Sequence, residues 1–336
     1  MISRRLISWP KMGSQIRVSV VVPTYDRRQA LAPVIDGLLA SGATNELLVV
    51  VDGCRDGSIE YLQERSREDP RVRPLYIENQ GEDRARQLGV EHSTGDIVVV
   101  IDDDVLVNPG TIEGHAAHHS RHERSVLLGY MPVKLPERRR GEDLYRFHYQ
   151  ASYEKHVELW QQQPETILEH FWGGHFSLRK EDALAVGLGN FDVKITYHSD
   201  YHLGLRCKAA GLTGHFDRRL GSEHLFQRNL EAFSRDAYLQ GVDRVRLEEL
   251  RTEVSGAGRS LLEPQSFGQK LLISATVDRR LAVTLQRSLQ MGVEISGRLG
   301  WFEAQAKAAR KLQRLNQLRG IRAGLDADLD LGPRIR

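Results

Sequence analysis

Three consecutive aspartates, Asp102, Asp103 and Asp104, directly follow the apolar run Ile97–Ile101. Carboxylates this close together repel one another unless a cation is bound among them. Mg²⁺ and Mn²⁺ are commonly held by one or two carboxylates together with the phosphate oxygens of a substrate. The triplet therefore indicates a site for Mn²⁺ or Mg²⁺ that bridges to a nucleoside diphosphate. A solvated acidic turn is the alternative.

Two further aspartates follow apolar runs earlier in the chain. Asp26 lies just beyond Val18–Val22, and Asp52 directly follows Leu47–Val51. In an open α/β sheet, ligands bind at the carboxyl ends of the strands, near the point where the strand order reverses. We therefore expect these two aspartates and the triplet to converge on one crevice.

Short β-branched runs alternate with helix-like stretches as far as about residue 125, which is typical of a parallel sheet with helices on its faces. Strands are predicted over 18–22, 47–51, 72–77 and 97–101. The first strand is expected to stop at Pro23, because proline lacks the N–H that a ladder needs. Helices are predicted over 29–39, from near Ser58, and through Arg84 and Leu88.

The rest of the chain has a different pattern. Beyond residue 125 aromatic residues and histidine become more frequent, and this half is predicted to be α+β. Past about Thr252, the stretch Ser255–Gly258 is typical of a linker, and a helical pattern follows it. Residues 1–15 are basic and contain no long apolar run, so a flexible leader is predicted there.

Composition excludes several classes of protein. With 336 residues, 40% of them hydrophobic and 27% charged, the chain is long and apolar enough to bury a sizeable core. A net charge of +2 gives no global reason to expect a nucleic-acid partner. The two cysteines, Cys54 and Cys207, lie far apart, which fits a reducing cytoplasm and indicates no disulfide framework. No apolar run approaches the roughly 20 residues of a transmembrane helix.

Four segments together resemble family 2 glycosyltransferases of the GT-A fold, in both order and spacing. They are Val22–Arg27, Val51–Ser58, Asn79–Gly81 with Ala85–Arg86, and Gly95–Asp96 leading to Ile101–Asp104. The resemblance covers roughly 16–250. It implies a nucleotide-sugar-binding half (16–125) and an acceptor half (126–250), with 251–336 as a helical C-terminal extension. The implied architecture is a Rossmann-like, mostly parallel sheet flanked by helices.

The resemblance also implies roles on the donor side. Asp52 would accept a hydrogen bond from the nucleobase, although a turn-forming Asp-Gly pair is the alternative. Arg86 matches the family arginine that follows the Asn-x-Gly motif. The nucleobase pocket would be lined by Pro23, Thr24 and Tyr25.

For the metal, the resemblance identifies Asp102 and Asp104 as the Asp-x-Asp pair. Asp104 would be the most direct ligand, and Asp102 or Asp103 would lie nearer the ribose. His224 lies where some family members place a third ligand, and a structural histidine is the alternative. The implied metal set is therefore Asp104, Asp102 and His224, with Mn²⁺ or Mg²⁺ as the cofactor.

On the acceptor side, His198–Arg206 resembles the family segment that carries the general base, which is Asp200 here. Ser199 and His202 depart from the family pattern, which has glutamate at both positions. A helix cap is the alternative for Asp200. The segment Trp172, Gly173, Gly174 and His175 resembles the Gly-Gly segment that lines the acceptor, and a tight turn with a core tryptophan is its alternative.

Two other patterns allow competing interpretations. Four histidines recur at spacings of three and four in a predicted helix, which places them on one face and permits zinc binding, although a half-buried helix face is favoured: His115, His118, His119 and His122. The basic, helix-like stretch Trp301–Arg322 has Trp301, Ala308, Leu312 and Leu315 near one stripe. It is predicted either to lie on an anionic membrane or to pack on the protein.

The function predicted is inverting, metal-dependent transfer of one sugar from a UDP, GDP or dTDP sugar to an acceptor hydroxyl. The acceptor would be a glycan, a lipid-linked sugar or a small molecule. No Gln-x-x-Arg-Trp motif is present, so single transfer is expected rather than processive synthesis. The alternatives are a sugar nucleotidyltransferase and a nucleotide-sugar-binding protein that has lost catalysis. The expected location is the cytoplasm, with peripheral contact at the inner membrane face.

Overall fold

The computed structural model describes residues 16–189, 195, 197–255, 261–264 and 266–330. Within these, one compact unit comprises 16–134, 152–189 and 200–226, and a second comprises the described parts of 135–151, 192–199 and 227–330. The two units are interleaved along the chain, and the domain bounds 16–250 and 251–336 stay a prediction. The predicted leader and Gly256–Gly258 of the predicted linker lie outside the described residues.

The first unit is built on an eight-stranded mixed sheet with the order β3-β2-β1-β4-β7-β6-β8-β5. The parallel pairs are β1 with β2 and β4, β2 with β3, and β6 with β8. The antiparallel pairs are β4 with β7, β6 with β7, and β5 with β8. The strands are β1 (Val18–Thr24), β2 (Thr44–Asp52), β3 (Val72–Ile77), β4 (Ile97–Ile101), β5 (Val105–Val107), β6 (Ser125–Tyr130), β7 (His175–Arg179) and β8 (Thr213–His224).

Helices alternate with the first strands, as the sequence predicts. In the described residues of this unit they are α1 (Arg28–Leu39), α2 (Ser58–Glu68), α3 (Glu82–His92), α4 (Thr111–His119), α6 (Lys180–Val186) and α7 (Ser199–Ala209), whose first residue belongs to the second unit. Helix α5 (Leu144–Gln162) begins in the second unit and ends in the first.

The prediction that β1 stops at Pro23 is wrong, because Pro23 and Thr24 still pair with Val50 and Val51 of β2. On its other side β1 pairs with β4 only as far as Val21. The missing proline N–H is therefore tolerated where the strand has one neighbour.

Close packing of α3 on β1 explains a glycine inside that helix. A Cβ at Gly89 would lie 2.3 Å from Cγ1 of Val21. All five residues of β4 are buried, as expected of a strand covered on both faces. The inner strands and α3 thus form a rigid base for the residues that follow β4.

The second unit is helical in its described part. It contains the start of α5 together with α8 (Leu230–Ser255), α9 (Phe267–Ala275), α10 (Arg279–Arg298) and α11 (Phe302–Asp330). Helices α8 and α11 meet at glycines, since a Cβ at Gly241 would lie 2.1 Å from the Gln317 carbonyl oxygen and one at Gly320 would lie 1.9 Å from that of Tyr238. Two helices can approach this closely only where side chains are absent.

Part of the predicted apolar stripe of the C-terminal helix is buried in this unit. Leu312 and Leu315 are fully buried, with Leu318 and Ile321 on the same side of α11. Trp301 precedes the helix and is 61% exposed, so it does not belong to the buried stripe. The stripe therefore packs on protein, as the second of the two interpretations expects. Among the described helices, none is both long and apolar enough to span a membrane.

Candidate active site

The aspartate triplet forms the turn between β4 and β5, and its backbone is held from three sides. The Asp102 N–H donates to the Gly174 carbonyl, and the Asp104 carbonyl accepts from the Leu225 N–H at 2.8 Å. The Val105 N–H closes the turn on the Asp102 carbonyl. The three consecutive side chains thereby leave the chain in different directions.

Asp104 and Asp103 belong to one network of charged groups. Asp104 Oδ2 accepts from Arg27 Nη1 at 2.7 Å, and its Oδ1 lies 3.3 Å from His224 Nε2. Asp103 accepts from the Thr24 hydroxyl at 2.7 Å and lies 3.6 Å from Arg27 Nε. Arg27 follows the end of β1, and His224 is the last residue of β8, so two distant strands meet at the triplet.

Asp104 and Asp103 differ in pKa, because burial and the neighbouring charges act on them differently. Burial raises the pKa of Asp104, but the hydrogen bonds and charges of His224 and Arg27 outweigh burial and lower this pKa to about 2. Burial dominates for Asp103, and its pKa is raised to about 6 despite Arg27 and Thr24. Asp104 is therefore the acid of this pair that is ionised over the wider pH range, which suits a metal ligand.

The donor atoms of Asp104 and His224 fit a divalent cation. Neighbouring ligands around an octahedral ion with bonds of 2.0–2.1 Å lie about 3 Å apart. The 3.3 Å between Asp104 Oδ1 and His224 Nε2 is close to that separation. Asp102, the third residue of the predicted metal set, is instead engaged by Arg86.

Arg86 organises a second network. Its guanidinium, which α3 carries into the interior, lies 2.9 Å from Asp102 Oδ1 and 3.2 Å from Asp200 Oδ1. Glu82, one helical turn earlier, pairs with the same guanidinium. Asp200 in the first turn of α7 also accepts the Gly173 N–H through Oδ2 at 2.8 Å. The structure therefore brings the predicted base and one predicted donor-side acid onto a single buried cation.

The two glycines before β7 allow this arrangement. A Cβ at Gly173 would lie 2.5 Å from Asp200 Oδ1, and one at Gly174 would lie 2.6 Å from Asp102 Oδ2. Gly174 also has a φ of +100°, which favours glycine. Close backbone approach was predicted here for a sugar, and the structure shows it for two carboxylates. Trp172 packs edge-on against Tyr153 and His156.

His175 lies deeper than its sequence neighbours. It is 1% exposed, and its Nε2 is 2.9 Å from His115 Nε2 while its Nδ1 is 3.1 Å from the Ser222 hydroxyl. Burial lowers the pKa of His175 to about 3, so the ring is neutral. The acceptor-side proposal therefore keeps Trp172, Gly173 and Gly174, whereas the structure places His175 in the core of the sheet.

The four histidines differ in burial, and only three of them lie in α4. His115 and His119 are buried and both hydrogen-bond the Ser177 hydroxyl. His118 is half-buried, and His122 is exposed beyond the end of α4. This burial pattern agrees with the favoured interpretation, a half-buried helix face, and the four histidines do not form one zinc site because His115 and His119 are used inside the core.

On the donor side, Asp52 is 4% exposed and holds the loop between β3 and α3. Its carboxylate accepts the Gln80 N–H at 2.6 Å and the Gly81 N–H at 2.8 Å. Pro23 and Thr24 are buried, whereas Tyr25 is 50% exposed. A contact between Asp52 and a nucleobase stays a prediction.

Sequence reasoning missed Arg27 and Glu82 as site residues. Arg27 ends the quoted motif Val22–Arg27, and a cation placed opposite three aspartates was the signal that could have identified it. Glu82 lies four residues before Arg86 on a predicted helix, the spacing of an ion pair.

The chain is similar in sequence to known proteins. Residues 19–185 match the family model for Glycosyl transferase family 2. Glycosyltransferase GlyG of Streptococcus pneumoniae serotype 4 is 30% identical over 114 residues, which cover 33% of this chain and 38% of that protein. The uncharacterized glycosyltransferase YkcC of Bacillus subtilis is 37% identical over 109 residues, which cover 30% of this chain and 33% of that protein. The chain thus spans less than half the length of these relatives.

A solved structure shows the fold. The mannosyltransferase PcManGT from Pyrobaculum calidifontis, solved in complex with GDP-Man and Mn²⁺, has a TM-score of 0.58 and 13% sequence identity to this chain. The match covers 94% of this chain and 90% of that one. The mixed sheet with its flanking helices is the GT-A fold. Residues 19–185 therefore carry the match to glycosyl transferase family 2, and on this match and the GT-A fold the chain is similar to the glycosyltransferases of that family.

Proposed function

We propose that this protein transfers one sugar from a nucleoside-diphosphate sugar to an acceptor hydroxyl, with inversion at the anomeric carbon and with Mn²⁺ or Mg²⁺ bound. The observation that carries the proposal is the bridge from Asp102 through Arg86 to Asp200, with distances of 2.9 and 3.2 Å. This bridge holds a carboxylate from the acceptor half next to the aspartates that follow β4. Donor and acceptor could therefore meet between them.

Asp104 and His224 are the residues that would hold the cation. When bound, such an ion supplies positive charge to the diphosphate that leaves the sugar. Asp104 is suited to this task because the neighbouring charge of Arg27 favours its ionised form, which a metal ligand needs. The GDP-Man and Mn²⁺ in the mannosyltransferase structure support a nucleotide-sugar donor and a divalent ion here. UDP, GDP and dTDP sugars are all candidate donors.

Asp200 is the proposed general base. Its oxygens are oriented by the Gly173 N–H and by Arg86, so the carboxylate is held in one position before the acceptor arrives. The acceptor oxygen bonds to the anomeric carbon, the bond from that carbon to the diphosphate oxygen breaks, and the hydroxyl proton passes to Asp200. Attack from the face opposite the leaving diphosphate inverts the anomeric carbon.

The acceptor side of the proposal rests on Trp172, Gly173 and Gly174. Both glycines lie against the proposed catalytic carboxylates, so larger residues there would displace Asp200 or Asp102. The proposed acceptor is a hydroxyl of a glycan, a lipid-linked sugar or a small molecule. The proposed location is the cytoplasm, where the free cysteines Cys54 and Cys207 would stay reduced.

Thermal unfolding with UDP, GDP and dTDP, each with and without Mn²⁺, tests donor and metal together. At about 100 times Kd a ligand stabilises the folded state by roughly 2.7 kcal/mol, which raises Tm by several degrees. We expect one nucleotide to raise Tm only with Mn²⁺ and only when Asp104 is intact, with Asp104→Ala as the comparison. No shift with any nucleotide contradicts the proposal.

The sugar form of the best nucleotide then tests the reaction. Transfer to a hydroxyl acceptor with an inverted anomeric configuration, read by NMR, is the expected result. Retention contradicts inversion. Donor binding with neither transfer nor hydrolysis favours a protein that has lost catalysis. Release of pyrophosphate from a nucleoside triphosphate and a sugar phosphate favours a nucleotidyltransferase.

A further inference from the structure

A second group of histidines lies at the surface of the first unit, outside the site described above. It consists of His118, His122 and His215, whose candidate ligand atoms all lie within 4.8 Å of one another. The His118 and His122 rings stack with centroids 4.2 Å apart, and His215 lies edge-on to His118 at 4.8 Å. These three residues are called the surface histidine cluster below.

The cluster joins two elements that are distant in sequence. His118 is in the last turn of α4 and His122 is in the loop that follows it. His215 is the third residue of β8 and pairs with Leu127 of the parallel neighbour β6. The cluster therefore connects the loop after α4 to a strand that it does not follow in the chain.

One hydrogen bond already prepares His122 as a ligand. His122 Nδ1 lies 3.0 Å from the His118 carbonyl oxygen, an acceptor, so Nδ1 carries the proton. The other nitrogen, Nε2, then has the lone pair that a metal needs. Histidines that bind metals commonly donate their second N–H to a backbone carbonyl in this way.

The surroundings of His118 and His215 favour neutral rings. Burial and the neighbouring histidines lower the pKa of His118 to about 3, and burial also lowers the pKa of His215. Neutral imidazole is the form that binds metals, so protons do not compete at pH 7. Asp217, two residues along β8, adds a nearby negative charge, although Arg219 holds its carboxylate at 2.6 Å.

We propose that His118, His122 and His215 form a surface site for a divalent transition metal, of which Zn²⁺ is the best match to three imidazole ligands. The nitrogen ligands of tetrahedral zinc lie about 3.4 Å apart, given Zn–N bonds near 2.1 Å. Ligand atoms within 4.8 Å reach that separation by small side-chain rotations, and exposed His122 has room to rotate. Three histidines leave the fourth position open to water or another ligand.

This site is separate from the cation site at Asp104 and His224. His215 and His224 are nine residues apart on the same strand, and they are roughly 20 Å apart along it once the register irregularity between Asp217 and Gly221 is allowed for. The ligand chemistry also differs, because Mg²⁺ and Mn²⁺ favour oxygen ligands whereas imidazole suits Zn²⁺. A metal here would tie the loop after α4 to β8 without touching the donor site.

Zn²⁺ titration of the tag-free, chelator-treated full chain tests the proposal, with excess Mg²⁺ present to occupy the oxygen-rich site. Isothermal titration calorimetry should show one zinc ion bound per chain. His122→Ala and His215→Gln should each raise Kd at least about tenfold. His92→Ala is the matched control, since His92 Nδ1 makes the same 3.0 Å contact with a carbonyl four residues earlier, that of Leu88.

Co²⁺ gives a second measurement that a loss of folding would not imitate. The wild type should show the visible absorption of tetrahedral cobalt, His122→Ala should lose it, and His92→Ala should keep it. Circular dichroism checks that each variant folds, and exposed His122 is the position least able to disturb the fold. Absence of zinc binding to the wild type, or equal affinity in the wild type and in both cluster variants, overturns the proposal. Loss of nucleotide binding would not affect it, since the two sites are independent.

Discussion

Asp102 and Asp104 are two residues apart, yet their carboxylates belong to different networks. Asp102 shares Arg86 with Asp200, and this arginine is 2% exposed on α3. Asp104 binds Arg27, whose side chain is 36% exposed in the loop after β1, together with His224. A buried guanidinium held by several acids is fixed, whereas a half-exposed one exchanges its partner for water at little cost. The proposed base is therefore held in position before substrate binds, whereas the proposed metal ligand Asp104 is paired with a cation that a metal ion could replace.

The largest expected effect comes from the fixed network. Asp200→Asn keeps the shape of the side chain and removes the proton acceptor, so we expect kcat to fall about 10³-fold. Nucleotide affinity should remain within about threefold, because Arg86 retains its contact with Asp102. Steady-state kinetics together with calorimetric titration of the nucleoside diphosphate measure both quantities.

Asp96→Asn is the control for that substitution. It makes the same chemical change in a carboxylate that pairs with Arg17 where β4 begins, at the opposite end of that strand from the aspartate triplet. Transfer rates should be unchanged there. A kcat for Asp200→Asn within a factor of about three of wild type would remove Asp200 as the base.

The metal side should respond to Asp104→Asn with at least about a 100-fold loss of Mn²⁺-dependent donor affinity, because a charged ligand is lost. His224→Gln should lose less, since it removes a neutral ligand. Calorimetry of nucleotide binding over a series of Mn²⁺ concentrations separates the two variants. Equal losses, or losses that persist without metal, would contradict the assignment of Asp104 as the main ligand.

Arg86→Met should lower the free energy of unfolding by about 2 kcal/mol. Removing one partner of a buried ion pair usually costs about 3–5 kcal/mol, but Asp102 and Asp200 remain partly hydrated, with side chains 28% and 31% exposed. Urea unfolding measures the change. Arg84→Met on the same helix is the control and should change stability by less than about 0.5 kcal/mol, because its pair with Glu91 lies at the surface. If both variants lowered the free energy of unfolding equally, Arg86 would not be held more firmly than a surface arginine, and the contrast drawn above between the Arg86 and Arg27 networks would fail.

Much of the framework that carries these networks could be predicted from sequence. The bounds of β3 and β4 match the predicted strands 72–77 and 97–101. For β4 the reason is uniform burial, which leaves an unbroken apolar signal in the sequence. The ends of parallel strands share one edge, so strand order alone predicts a site at that edge. The convergence of Asp26 and Asp52 on the triplet stays a prediction, since Asp52 holds the Gln80 and Gly81 N–H groups instead. The sequence did not predict that Asp102 and Asp104 pair with different arginines. That pairing depends on the close approach of Gly173 and Gly174, which lie far along the chain.

The positions of the α4 histidines also could not be predicted from the sequence alone. Spacings of three and four predict neighbours on a helix but not which of them face the sheet. His115 turns inward because His175 and Ser177 of β7 receive it, and His118 faces outward towards His215 of β8. These partners are roughly 60 to 100 residues away, beyond the reach of any periodicity.

Arg27→Met is the smallest expected effect and the most direct test of the exchangeable network. The guanidinium holds Asp104 Oδ2 at 2.7 Å, beside the proposed ligand oxygen Oδ1, so its removal takes a positive charge away from the cation site. We expect nucleotide-free Mn²⁺ affinity to rise about fivefold, or about 1 kcal/mol. Arg28→Met is the control, because Arg28 stacks on the Tyr61 ring at 3.6 Å, and its loss should leave Mn²⁺ affinity unchanged. Weaker Mn²⁺ binding in Arg27→Met would mean that Arg27 supports the site instead of competing for it.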